Sequence, residues 1–204
     1  MRVAAALVHV FTALGAVCAL LATLAIFQQD WRGLFFWLGV AFFVDGIDGT
    51  FARMVNVSEN LPRFSGERLD LVIDYVTYVF VPALALLAGG FLVGTWGIVL
   101  AALIVLSSLY HFTDMDSKAD DLSFVGFPAI WNIVAFYLFA FAVSPTASAW
   151  VVLTCVVLTF VPMKWVHPLR VQKLMPLTIA ATLAWSVAAY AAVHTGFEQA
   201  PEWA

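Results

Sequence analysis

The sequence predicts an all-α polytopic membrane protein, a bundle of about seven transmembrane helices within a range of six to eight. Three observations predict it. Of 204 residues, 64% are hydrophobic and only 11% charged, where a soluble domain carries about a quarter charged. The apolar residues fall in runs of about twenty, the length that crosses a hydrocarbon core. The basic residues are one-sided: Arg2, Arg53, Arg63, Arg68, Lys118, Lys164, Arg170 and Lys173 share one side of the alternating spans, and Arg32 alone falls on the other. An excess of Lys and Arg marks the cytoplasmic side. The N-terminus and the segment around Arg53 are therefore expected inside the cell.

The first span, roughly 6–27, follows Met1 and Arg2 and runs on without a polar break, as a retained span does and a cleaved leader does not. Asp30 is placed as the N-cap of the second span, 33–54. The third and fourth spans, 67–89 and 92–111, are separated by Gly89, Gly90 and Gly94, a turn signal. Ser144 and Pro145 separate the fifth and sixth, 126–143 and 147–163. The last, 175–195, carries no candidate chemistry and is expected to be peripheral; beyond it, Trp203 could open an eighth. Cys18 and Cys155 lie in apolar runs without metal-type spacing and read as small buried hydrophobes. No internal repeat stands out, so residues 1–204 read as a single integral-membrane domain. The net charge of −4 is too unevenly placed to carry information, and no nucleic-acid partner is expected.

The chemistry is concentrated in DGIDGTFARMVNVSENLPRFSGERLDLVID, Asp45 to Asp74. Asp45 and Asp48 are three residues apart, Asp70 and Asp74 four apart, so on helices each pair shares a face. Ionisable groups in a membrane are costly and usually mark a pathway or a site. Four carboxylates on facing helices suit Mg2+ or Mn2+, and two such ions could clamp a diphosphate and stabilise its leaving group. Gly49, Ala52 and Gly66 leave room for a nucleotide against the backbone. From Gly66 to Asp74 is about 12 Å of helix rise, which sets the acids just below the cytoplasmic interface. A lipid head group reaches that depth from the side and a polar substrate from water. The plainer reading, two polar helix ends neutralised by Arg53 and Arg68, explains neither the double spacing nor the glycines.

This pattern, D-x2-D-G-x2-A-R, twelve residues, then G-x3-D-x3-D, resembles the signature of the CDP-alcohol phosphotransferase family. The segments SGERLDLVIDYVTYVFVPA, HFTDMDSKADDLSFVGFPAIWN and WVHPLRVQ extend the resemblance from about His9 to about Gln172 and look like the choline-using bacterial branch. Members usually have about eight residues between the Arg and the Gly. The twelve here include Asn56, Ser58, Glu59, Asn60 and Arg63 and are expected to form an extended cytoplasmic turn, so loop contacts of shorter members are not carried over. The resemblance implies a metal-dependent transfer of the phosphatidyl group from CDP-diacylglycerol to choline, giving phosphatidylcholine and CMP. It implies a multi-pass homodimer in the bacterial inner membrane, with the active site facing the cytoplasm. Asp45, Asp48 and Asp70 would be chiefly ligands of two Mn2+ or Mg2+ ions; Asp74 would take the proton of the acceptor hydroxyl and could also touch a metal. The CDP part of the donor would lie against Gly49, Ala52 and Gly66, with Arg53 toward a phosphate, although Arg53 also suits snorkelling to the interface.

A quaternary ammonium is bound by aromatic faces and nearby negative charge. Tyr75, Tyr78, Tyr110, Trp131 and Asn132 are the candidates, with His111 and Trp165 on the same side; each aromatic alone also suits an interfacial anchor. The loop TDMDSKADD, with Asp114, Asp116, Asp120 and Asp121 against Lys118, reads either as a solvated turn or as a concentrator of cations over the entrance. Lys164, His167, Arg170 and Lys173 make a basic loop suited to topology and lipid head groups. Two alternatives stay open: the same chemistry with serine, inositol or glycerol phosphate as acceptor, and, from a different class, a divalent-cation or proton-coupled transporter using the acids as a relay.

Overall fold

A computed structural model describes residues 2–114, 116, 123–165 and 175–196. It is the predicted helical bundle, with one small addition. Helix α1 spans Arg2–Phe27 and α2 spans Trp31–Met54. They meet along a seam of small side chains on α1, among them Gly15, Cys18, Ala19, Ala22 and Ala25, all buried. Small residues let membrane helices approach closely. The turn between them ends at Asp30, whose carboxylate accepts the Gly33 N–H at 2.9 Å, the N-cap that the sequence placed there.

The segment after α2 is less extended than expected. It folds into one helical turn, α3 (Val57–Asn60), anchored by the buried Val57 and by Asn60, whose side-chain amide donates to the Val55 carbonyl at 2.9 Å. Helix α4, Gly66–Asp74, is capped by Ser65 and runs without a break into a π-helical segment, Tyr75–Phe80, and then α5, Val81–Ala88. Pro82 lacks an N–H, and its ring would press on the carbonyl four residues back; the wider π turn accommodates both. The three pieces form one apolar rod, Gly66–Ala88, the predicted third span. Gly89, Gly90 and Gly94 then turn the chain, the last two at φ of 74° and 62°, into α6, Gly94–Thr113.

The later spans depart more from expectation. The fifth does not start at Gly126. Gly126 sits at φ 79° with no room for a β-carbon beside the Thr159 carbonyl, and Ala129 is also left-handed at φ 54°. Just before them, Phe124–Val125 pairs antiparallel with Lys164–Trp165 in a two-stranded ribbon. Helix α7 therefore covers only Trp131–Ala140, and α8, capped by Ser144 with Pro145 in its first turn, covers Pro145–Thr159. Helix α9 is Met175–Gly196. Among the described residues, five rods are long and apolar enough to cross a membrane, while α7 and α8 are shorter. The ends still alternate. Arg32 at the start of α2 donates to the His194 carbonyl near the end of α9 at 2.7 Å, and Trp31 meets Phe139 of α7 at 5.0 Å. The core between α1, α2, α5, α6 and α7 is rich in aromatic rings, among them Phe35, Phe91 and Trp131.

Candidate active site

Three of the four predicted acids converge. Asp45 from α2 and Asp70 and Asp74 from α4 each offer a carboxylate oxygen within 4.8 Å of the others. Three carboxylate oxygens this close, on two helices, are a set that could hold one hard divalent cation. Left to themselves, two carboxylates at that separation repel by about 3.5 kcal/mol at an effective dielectric of about 20. Asp48, buried one turn along α2, lines the same small gap without joining the trio of oxygens.

The gap has a third wall, which the sequence reading did not identify. Thr12 and Gly15 of α1 line it beside the acids. A β-carbon on Gly15 would lie 2.5 Å from Cγ2 of Ile73, so only glycine lets α1 approach α4 this closely. His9 continues the same stripe. Its ring packs against Gly66, where an added β-carbon would come 3.3 Å from Cε1, and it stands edge-on to Phe64 at 6.5 Å. A spacing of three through His9, Thr12 and Gly15 on an otherwise apolar helix is the signal that could have found this wall. Of the other nucleotide candidates, Gly49 lies beside Arg53, whose guanidinium is exposed and donates to Thr50 Oγ1 at 3.0 Å, and Ala52 is half-buried one turn beyond Asp48.

Tyr78 stands beside the acids with its hydroxyl already engaged. Its hydroxyl donates to Asp45 Oδ2 at 2.6 Å, its ring stands edge-on to Phe42, and it is buried. The remaining aromatic candidates are dispersed. Tyr75 donates to the Val105 carbonyl at 2.9 Å and packs on Phe112. Trp131, wholly buried, donates to Ser108 Oγ at 2.8 Å and packs on Phe127. Tyr110 is 68% exposed, whereas His111 beside it is buried. Asn132, in the first turn of α7, accepts the Ile133 N–H at 2.9 Å through Oδ1, and Trp165 belongs to the ribbon. Asp114 and Asp116 are exposed. Lys118, Asp120, Asp121, His167, Arg170, Lys173 and Trp203 lie outside the described residues.

Comparison with known proteins adds names to this geometry. No family model matches the chain. It is 44% identical over 197 residues to the phosphatidylcholine synthase of Rhizobium johnstonii, a match covering 97% of this chain and 81% of that protein. It is 46% identical over 201 residues to the phosphatidylcholine synthase of Bradyrhizobium diazoefficiens, covering 98% and 75%. With that of Pseudomonas aeruginosa it shares 44% over 180 residues, covering 88% and 76%.

Proposed function

We propose, since this chain belongs to the phosphatidylcholine synthase family, that it makes phosphatidylcholine by metal-dependent transfer of the phosphatidyl group from CDP-diacylglycerol to choline, releasing CMP. The observation that carries the chemistry is the meeting of Asp45, Asp70 and Asp74 from two helices. In this reading residues 1–204 act as one integral-membrane domain of the inner membrane, with the acids on its cytoplasmic side.

Asp45, Asp48 and Asp70, with Asp74 at their edge, would hold the divalent ions, whose charge would neutralise the diphosphate and make CMP a better leaving group. Asp74 accepts the proton of the choline hydroxyl as its oxygen bonds to the lipid-side phosphorus and the bond from that phosphorus to the CMP oxygen breaks. Tyr78 fixes the Asp45 carboxylate through its hydroxyl, the kind of outer contact that sets ligand orientation. Gly49, Ala52 and Gly66 receive the nucleotide in this reading, with the His9 ring standing against Gly66 and the Arg53 guanidinium beside Gly49. The one-sided acids favour this reading over a relay through the membrane. Purified protein given CDP-diacylglycerol, Mn2+ and labelled acceptors one at a time should release CMP with choline alone, and lose that release with EDTA. Incorporation of serine but not choline would refute the acceptor, and full turnover in EDTA would refute the metal.

A further inference from the structure

The gap between the acids has room for about 10 Å³, no more than about one water, so the nucleoside of the donor must lie outside it. Beyond it on the α4 side stands the twelve-residue spacer between Arg53 and Gly66, which the reaction as described leaves without a task. The spacer is a built element. Val57 is buried, the Asn60 amide donates to the Val55 and Asn56 carbonyls at 2.9 and 3.2 Å, and Ser65 Oγ accepts the Arg68 N–H at 3.2 Å to start α4. Between these anchors Phe64 is 60% exposed. Arg63 sets its guanidinium carbon over the Phe64 ring, 5.7 Å from the centre, and His9 meets that ring edge-on at 6.5 Å. The imidazole lies in turn against Gly66, and its Nε2 is buried without a hydrogen-bond partner, so packing holds it there. One face of the Phe64 ring is thus backed by a cation, one edge is fixed, and the rest is open.

We propose that Phe64 is the stacking platform for the cytosine of CDP-diacylglycerol, with Arg63 behind its ring and His9 fixing its edge. The identity of the nucleotide rests on the reaction given above; its place rests on the position of this ring. Gly66 is two residues from Phe64 and about 6 Å of helix rise from Asp70. A base whose diphosphate meets the acids is therefore brought to the level of Phe64. Every nucleobase has a π-face, and stacking on an aromatic ring tightens its binding roughly 5- to 150-fold. The Arg63 charge seeks water, which keeps the ring beneath it at the aqueous rim. Phe51, the other exposed ring at this end of α2, packs on Phe11 of α1 at 5.7 Å. The long spacer thus gains a part in holding the donor.

The test uses the whole chain in detergent with Mn2+, and CMP as the probe, read by equilibrium binding. Phe64→Leu keeps an apolar side chain at the interface but offers no π-face. It should weaken CMP about tenfold with the thermal midpoint unchanged. Phe64→Trp should restore the affinity, and CMP should quench its fluorescence beyond any change in wild-type protein. Phe51→Leu, a ring lost from the same end of the bundle, should leave CMP binding as it is. Unchanged CMP affinity in Phe64→Leu, equal losses in Phe64→Leu and Phe51→Leu, or no rescue by tryptophan would overturn the stack. Wild-type protein that binds CMP through Phe64 but releases none from CDP-diacylglycerol and choline would instead sink the proposed reaction and leave the stack standing.

Discussion

Helices α1 and α9 are both apolar, both longer than twenty residues, and both lie against α2, yet they meet it in opposite ways. Helix α1 buries a file of small residues and closes so tightly that Gly15 has no room for a methyl group against Ile73. In the span of α9, none of the residues is buried, and Leu177, Leu183, Val187 and Tyr190 are all more than half exposed. Composition does not explain the difference, since α9 is also rich in alanine. What matters is what faces the partner: α1 presents its small residues, whereas α9 presents Trp185 and Ile179 toward α2. Close approach on one side builds the acid site, and separation on the other leaves an apolar groove of about 930 Å³ between α2, α7 and α9. Substitutions on the α1–α4 side should therefore be severe and general, and those on the α9 side mild and selective.

The largest effect is expected at Asp74. Asp74→Asn should cut CMP release by about 10²–10⁴-fold, the range for a lost general base, while the protein keeps its thermal midpoint. Loss of activity accompanied by unfolding would assign Asp74 to structure instead. Next come two glycines that oppose each other. Gly15→Leu should cost roughly 1–3 kcal/mol by overpacking, read as a fall in thermal midpoint in detergent and loss of turnover. Gly39→Leu, with open space around its β-carbon, should be neutral or gain up to about 1 kcal/mol of helix propensity. Equal losses at the two positions would erase the contrast between the two sides of α2.

Legibility followed the same division. The membrane bundle, the Asp30 cap, the breaks at Gly89–Gly94 and Ser144–Pro145 and the pairing of acids could all be read from the sequence, because each depends on local spacing or on hydropathy. The partner of Tyr78 could not. Spacing of four from Asp74 put it beside the acids, where it stands, but only the meeting of α2 with α4 reveals that its hydroxyl is taken by Asp45. The start of α7 was misplaced because Gly126, Pro128 and Ala129 lie inside an apolar run whose hydropathy hides the break. The α1 wall went unread for a different reason. Thr12 and Gly15 carry no charge, and their importance is a matter of what packs on them.

Tyr78→Phe sharpens the account of the tight side at moderate cost. It keeps the ring on Phe42 and removes only the hydroxyl bound to Asp45. Losses from such outer contacts run to about 10–100-fold in metal affinity, so the Mn2+ requirement should rise while the choline KM stays nearly constant. A rise in choline KM with unchanged Mn2+ dependence would return Tyr78 to the acceptor site.

The smallest effect is expected where α9 is pinned. Trp185 donates to the Tyr137 hydroxyl at 2.7 Å, an exposed contact, and Trp185→Phe keeps an aromatic ring between Phe42 and Phe136 while deleting that bond. A net hydrogen bond contributes about 0.5–1.5 kcal/mol, and since no residue of this span is buried, little else should change with it. Amide exchange in α9 should quicken, the thermal midpoint should barely move, and turnover should fall less than about threefold. Trp185→Ala removes the spacer between Phe42 and Phe136 as well, so α9 should settle onto α2 and narrow the groove between them, read as a shorter α2–α9 distance between spin labels in detergent. If Trp185→Ala instead matched Gly15→Leu in lost stability, α9 would have to be counted among the tightly held helices and the asymmetry about α2 would be wrong.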